Sequence, residues 1–474
     1  MVLDGTATPS STRAKGAATI NELVEEEERR FISRQPRSRA LHNRALASLA
    51  GGVTSSWQIT RPQPVFIARG QGSTIVDVDG NEYVDLHGGY GAGLAGHAHP
   101  AIVDAVTRQV RQGTHFAQPS EDAVVVAELL AQRFGLPVWR FTNSGTEATM
   151  DAVHLMRAVT GRDLIVKLEG AYHGHHDSVQ VSVAPGGDSR IGSVRQPIGR
   201  PSSTGIPEAI TSLTLVVTFN DLENIARLLA DHPGQIAGMI VEPIMMNAGI
   251  ILPVSGYLER LRTLLHEDGA LLCFDEVKTG LTVGPGGATR LLGVVPDIVC
   301  LAKSLGGGLV TGAVGATEEL MEHVAAGDYE MVGTFNGNPL SMAASRAMLE
   351  EVATDAGYAH IAALRARIET SVTASIERHG VPAHLVSVGA KGCVTFATSP
   401  VRNYRDFLAV DDRFNHLHWL AQHNRGVFLP PWGKTEQWML SVQHDEEDVD
   451  RFVDNFERFA REVEGTLRIE SDVA

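Results

Sequence analysis

Between about residue 100 and residue 325, short apolar, β-branched runs alternate with amphipathic stretches, and this alternation constrains the fold more than any other feature of the sequence. The runs fall at 164–168, 214–219, 236–241, 270–274, 298–301 and 312–315, with helical patterns such as 255–268 between them. Because the runs are continuously apolar, both faces of each strand must be covered. That predicts an α/β fold with a mainly parallel sheet clothed in helices. Ligands of such sheets sit at the carboxyl ends of the strands, so the residues that follow each run are the ones to search for chemistry.

Outside that region the pattern changes. Apolar residues at 65–67 and 73–78, the turn Asp79-Gly80-Asn81 and the pair Tyr83-Val84 predict a short β-meander. A helix over about 20–50 precedes it, with Glu25 to Glu28, Arg29 and Arg30 as its solvated face. Beyond about 335 the chain turns helix-rich (about 339–379, 405–424 and 445–465), as a smaller α+β domain would. The expected division is an N-terminal tail, helix and meander in 1–85, a large domain in 86–332 and a C-terminal small domain in 333–474. Lysine and arginine total 40 against 56 acidic residues, a formal charge of −16, which argues against nucleic acid or an anionic membrane as partner. No apolar run approaches the ~18 residues of a membrane span, and the opening residues lack a hydrophobic signal core. The three cysteines, Cys273, Cys300 and Cys393, form no CxxC pair, which argues against a disulfide framework or zinc ribbon and suits a cytoplasmic protein.

Two strand ends carry charge. Asp275 closes the run 270–274, a costly place for a carboxylate without a cationic partner. Lys303 follows the run 298–301 and leads into Gly306-Gly307-Gly308, where a lysine can be neutral near pH 7 and attack a carbonyl. Taken alone, Asp275 reads more often as a helix cap and Lys303 as a snorkelling surface lysine. The pair suggests pyridoxal 5'-phosphate, whose ring nitrogen needs a carboxylate and whose aldehyde needs a lysine. Ser144, Gly145 and Thr146 precede a helical run over 147–160, so its first amides can meet a phosphate, although Ser144 to Glu147 is also a capping box. Tyr172 and His173, just past 164–168, could supply a flat partner for a ring. His173, His175 and His176 with Asp177 lack a second convergent group, so no metal is expected. His97, His99, His416, His418 and His423 read as structural. The glycines of 306–315 have no acidic ribose anchor beyond a βαβ turn, which disfavours a nicotinamide enzyme.

Together these segments resemble the class-III, fold-type-I pyridoxal-phosphate aminotransferases, and among them most of all the glutamate-1-semialdehyde 2,1-aminomutases. The similarity runs from about Gly51 to Glu464 through GGVTS, DVDGNEYVDLHGGYGAGLAGHAHP, FTNSGTEATMDA, KLEGAYHGHHDS, IVEP, ALLCFDEVKTG, VCLAKSLGGG and GTFNGNP in family order. The resemblance implies a mainly parallel seven-stranded sheet, a smaller α+β domain built from the N- and C-terminal segments, and a homodimer with shared active sites. Carried over by position, Lys303 is the Schiff-base lysine, Asp275 pairs with the pyridine nitrogen, and Val277 packs on the ring opposite Tyr172, with His173 nearby. Ser144, Gly145 and Thr146 hold the phosphate, and Thr334 reaches it from the neighbouring subunit. Asn247 and Glu436 match polar positions near cofactor and substrate.

The sequence departs from the aminomutases in three places. Gln58 stands where they carry a carboxylate-binding arginine. Losing that charge-assisted contact would cost about 1.5–3 kcal/mol of substrate recognition. Tyr90 replaces a tryptophan and so changes the pocket, to which Trp57 also belongs. Lys278 occupies a position usually filled by a neutral residue, where it could bind a substrate carboxylate or else turn to solvent or Glu276; Arg61 is another candidate anchor. The expected activity is amino transfer from an amino acid or amine to a keto acid or aldehyde. An aminomutase is the alternative, and a lyase, decarboxylase or racemase would use the same cofactor residues.

Overall fold

The computed structural model describes residues 19–187, 189–431 and 438–473. At its centre is a seven-stranded sheet in the order Val138–Thr142, Gly312–Ala316, Ile298–Ala302, Leu271–Asp275, Ile236–Val241, Leu164–Leu168, Thr214–Val217. Successive residues of one strand supply opposite faces, as the pleat requires. Cys273 and Cys300 join a cluster with Ala152 and Met156 of the helix Gly145–Thr160. Leu272, Phe274 and Val299 join a larger core that includes Leu261 of Tyr257–Asp268 and Leu130 of Glu121–Phe134. Continuous apolarity of the runs is thus explained by helices on both sides.

Two features of the sheet differ from the sequence expectation. Gly312–Ala316 runs antiparallel to both its neighbours, a direction that an apolar run cannot disclose. The edge strand Val138–Thr142 gave no continuous run, because Arg140 is exposed between the buried Trp139 and Thr142.

Several of the predicted helices are interrupted, whereas the last, expected over 445–465, runs longer, Glu446–Val473. The helix over 20–50 is two helices, Ile20–Ser33 and Pro36–Ala45. Pro36 begins the second, where its missing N–H costs nothing, and buried Gln35 at the break reaches Tyr83 Oη at 2.9 Å. The stretch 339–379 divides at Thr354, which caps Asp355–His379, and 405–424 divides into Tyr404–Leu408 and Asp412–Asn424.

The helix Ile20–Ser33 packs against Asp412–Asn424. Phe31 packs on Trp419 and His423, with centroids 5.5 and 4.6 Å apart, and Asn424 Nδ2 donates to the Glu27 carbonyl at 2.9 Å. The meander Ile67–Gln71, Thr74–Asp77, Glu82–Asp85 gains a fourth strand, Val427–Phe428, parallel to the third. Burial drives His418 and His423 down to about 3, so both pack as neutral rings. The glycine-rich segment that leaves Glu82–Asp85 crosses the carboxyl edge of the large sheet, where Ser304 Oγ donates to the Gly91 carbonyl at 2.5 Å.

Candidate active site

At the carboxyl ends of five parallel strands lies a cavity of about 380 Å3. Asp275, 5% exposed, ends the central strand. Its Oδ1 accepts from the Val277 N–H at 3.0 Å and its Oδ2 lies 2.8 Å from His173 Nδ1. His173 Nε2 is buried without a partner in the protein.

Lys303 follows the adjacent strand in a left-handed conformation, φ 49°. A residue with a Cβ adopts that at a cost of about 1–3 kcal/mol, and such outliers gather at functional sites. Opposite it the chain needs Gly91: a Cβ there would stand 3.4 Å from Lys303 Cδ and 2.8 Å from Nζ of the buried Lys391.

The third wall is the start of Gly145–Thr160. Ser144 Oγ accepts the Glu147 N–H at 3.2 Å, but the Glu147 carboxylate turns to the Asn143 N–H at 2.6 Å instead of that of Ser144. The capping box expected from the sequence is therefore shifted by one residue. The first amides of the helix have no intrahelical partner and suit an anion. Gly145 lies on Val277, whose methyl carbons would be 2.9 Å from an added Cβ. Gly312 allows the approach of the neighbouring strand, since a Cβ there would press on Thr142 and lie 2.6 Å from the Ser144 carbonyl oxygen.

Tyr172 and His173 enter on the loop after Leu164–Leu168. The Tyr172 N–H donates to Glu242 Oε1 at 3.0 Å, and Asn247 Nδ2 donates to the same oxygen at 3.1 Å. Burial pushes the Tyr172 hydroxyl up from its ordinary value. Its ring meets Trp57 edge-on at 5.5 Å, and Trp57 in turn meets Tyr90 at 5.7 Å. Under this loop Lys167, fully buried, donates to the carbonyls of Leu168, Ala171 and Val181 at 3.1, 3.0 and 2.7 Å. Burial brings its ammonium down to about 7 against the pull of Glu242 and Glu169.

The cavity thus brings together Lys303, Asp275, Val277, Ser144, Gly145, Thr146, Tyr172, His173, Asn247, Lys278, Trp57 and Tyr90, all singled out from sequence. Lys278 is 9% exposed, so it does not turn to solvent, and the Glu276 carboxylate is occupied by Thr279 Oγ1 and the N–H groups of Ala288 and Thr289. Gln58 takes no place in this cavity; its side-chain Oε1 accepts from Thr54 N and Oγ1 and from Ser55 N at 3.0, 2.8 and 3.2 Å. Arg61 is exposed and outside the lining. Thr334 is exposed in a turn and does not line the cavity of its own chain; Asn336 of the same turn accepts at 2.8 Å from Nδ2 of Asn143, which does. Glu436 lies outside the described residues. Of the histidines, His176 lies 3.3 Å from Thr149 Oγ1 and is brought down to about 4, first by burial and then by His173, His154 and Arg157.

Sequence reasoning missed Glu242 and Lys167. Glu242 directly follows the run 236–241, the same signal that pointed to Asp275. Lys167 sits inside a strand and gave no signal. The residues fit the phosphorylated pyridine expected from the sequence: a buried carboxylate, a buried imidazole nitrogen without a protein partner, and a helix start that only glycine lets Val277 approach.

Comparison with known proteins agrees. The family model Aminotransferase class-III matches residues 57–459. Glutamate-1-semialdehyde 2,1-aminomutase of Thermomicrobium roseum is 39% identical over 432 residues, 90% of this chain and 98% of that protein. An omega-transaminase from Sphaerobacter thermophilus superimposes with a TM-score of 0.85 at 34% identity, covering 91% of this chain and 99% of that one. A glutamate-1-semialdehyde-aminomutase from Pseudomonas aeruginosa PAO1 in complex with PMP gives 0.86 at 30% identity, with 94% and 98% covered. With its buried carboxylate and lysine at neighbouring strand ends, the chain belongs to the class-III, fold-type-I aminotransferase family, whose cofactor is pyridoxal 5'-phosphate.

Proposed function

We propose that this chain is an aminotransferase that moves an amino group from an amino acid or amine to a separate keto acid or aldehyde. The observation that supports transfer between molecules over an internal shift is Gln58. It stands where the resemblance expects the aminomutase arginine, and its side-chain Oε1 is occupied by Thr54 and Ser55.

When bound, pyridoxal phosphate supplies an aldehyde that captures amines and a ring that absorbs the electron pair left by a departing α-proton. The protein's part is binding and proton control. Asp275 would keep a proton on the ring nitrogen, and His173 fixes the carboxylate that would do so. Val277 and Tyr172 would face the ring, and Ser144, Gly145 and Thr146 would hold the phosphate. Lys303 Nζ would hold the cofactor's aldehyde and would carry the α-proton. Lys278 supplies positive charge for a substrate carboxylate, beside Trp57 and Tyr90. Asn247, with Glu242, seats Tyr172 from below.

A homodimer completes the site, with Thr334 of each chain serving its neighbour. In support, Val310, at the cavity, and Val332 and Phe335, flanking Thr334, are 72%, 79% and 56% exposed, an apolar group suited to a second copy. Cys273 and Cys300 are thiols with sulfurs 3.8 Å apart, which supports a reducing, cytoplasmic setting. Among the described residues no helix is long and apolar enough to cross a membrane.

The second reading, an aminomutase, is favoured by the relative of that name at 39% identity. Product analysis separates the two. Purified protein given an amine donor and pyruvate should release carbonyl product and alanine in equal amounts. Isomerisation of glutamate 1-semialdehyde without such release would make it an aminomutase, and carbon dioxide or an inverted amino acid would make it a decarboxylase or racemase.

A further inference from the structure

Lys167 lies inside the strand Leu164–Leu168 and is 0% exposed. At its register the neighbouring strands present Val216 and Ile240, surroundings that would suit an apolar side chain. The sheet holds an ammonium there instead, and the carbonyls it meets, those of Leu168, Ala171 and Val181, all belong to backbone around the Tyr172 loop.

The Ala171 carbonyl and the Tyr172 N–H are the two ends of one peptide group. The oxygen accepts from Lys167 Nζ at 3.0 Å and the N–H donates to Glu242 Oε1 at 3.0 Å. A cation thus holds the negative end of the peptide dipole and an anion the positive end. Hydrogen bonds to charged groups are the strong ones, and this pair fixes the peptide plane next to the Tyr172 Cα. The same amine ties the loop to the segment beyond it through the Val181 carbonyl, beside which the Gly170 N–H donates to the Ser182 carbonyl at 2.8 Å.

Such a clamp needs the charged form. An ammonium has three N–H donors for the three carbonyls, whereas a neutral amine has two and turns a lone pair on the third oxygen. A buried carbonyl left without its donor is costly. The carboxylates that act on the group are Glu242, just past Ile236–Val241, and Glu169, on its own loop, whose Oε1 and Oε2 accept from Arg405 Nη2 and Nε at 2.8 and 2.5 Å. Burial outweighs both and brings Lys167 down to about 7, so the clamp is complete below that pH and opens above it.

We propose that Lys167 is a positioning residue: with Glu242 it sets the peptide that aims Tyr172 at the cofactor ring, and losing its proton slackens that hold. The proposal rests on Tyr172 facing the ring, and it is the same for amino transfer and for isomerisation.

The test is the rate at which diluted holoenzyme loses its cofactor, read from the visible absorbance at pH 6 and at pH 9, in the parent protein, Tyr172→Ala and Lys167→Met. Other groups that titrate in this range act in all three, so the comparison isolates Lys167. Both variants should release cofactor faster than the parent at pH 6, and the rise from pH 6 to pH 9 should be about tenfold larger in the parent than in either. A Lys167→Met protein that releases faster but keeps the parent's pH dependence would show a merely structural lysine and overturn the proposal. Equal pH dependence in the parent and Tyr172→Ala overturns it as well, and that comparison stands even where Lys167→Met does not fold. A Tyr172→Ala rate equal to the parent's at pH 6 removes Tyr172 from the ring, and the proposal falls with that placement.

Discussion

His173 Nδ1 lies 2.8 Å from Oδ2 of Asp275, and the two side chains are 0% and 4% exposed. The carboxylate is thereby fixed from one side by an imidazole and from the other by the Val277 amide. Loss of a hydrogen bond to a charged group costs about 1.5–3 kcal/mol, about a ten- to hundredfold change in rate. Asp275→Asn should lower kcat by at least that factor, and His173→Phe by less. Steady-state kinetics on both variants check the order; a His173→Phe enzyme slower than Asp275→Asn would remove Asp275 from its central role.

Lys303→Ala should abolish turnover and alter the visible spectrum of the bound cofactor, since Ala302, the cavity residue beside it at that strand end, carries no amine. Full activity in this variant would sink the whole assignment.

Lys278 faces the cavity with 9% exposure. If its charge anchors a substrate carboxylate, Lys278→Met raises KM for carboxylated donors by about ten- to a hundredfold and leaves plain amines unaffected. Parallel KM measurements on alanine and isopropylamine decide it, and an equal change for both rules the anchor out.

At Gly312 an added side chain would press on Thr142 and on the Ser144 carbonyl oxygen. Gly312→Val should displace the phosphate-binding turn at a cost of about 1–3 kcal/mol in packing. Cofactor retention after dialysis should fall while the far-ultraviolet circular dichroism keeps its shape; retention equal to the parent protein would contradict the placement of the phosphate.

His418 sits among Phe396, Phe452, Phe456 and Phe459. Burial lowers it from 6.5 to about 3. Between those values the unfolded chain takes up a proton that the folded chain refuses, so stability present above pH 6.5 is lost as pH falls. His418→Leu removes that loss. Thermal midpoints at pH 6.5 and 4.5 should drop more for the parent than for the variant, and an equal drop would point to other groups.

Much of this was legible because strand ends concentrate both chemistry and signal. Continuous runs located six of the seven strands of the large sheet; Asp275 directly follows one of them and Lys303 lies two residues beyond the end of another. The seventh, Val138–Thr142, is an edge strand with one wet face, so its composition alternates. The direction of Gly312–Ala316 is set by what it pairs with, which its own residues do not encode. Helix breaks at Gln35 and Thr354 depend on partners far along the chain or on a local cap. Glu242 and Lys167 act on the backbone of the Tyr172 loop, and a lysine whose partners are three carbonyls leaves no pattern in side-chain types.

The pairing of Val427–Phe428 with Glu82–Asp85 has a practical corollary. The glycine segment carrying Tyr90 springs from a strand paired with Val427–Phe428 and, through Tyr83, packed on His423. Deleting Ile20–Ser33, though that helix lies outside the cavity lining, would therefore unseat His423, slacken that packing and alter catalysis from a distance. Trimming the helix Ile20–Ser33, which packs on His423 through Phe31, is thus expected to reach the segment that carries Tyr90.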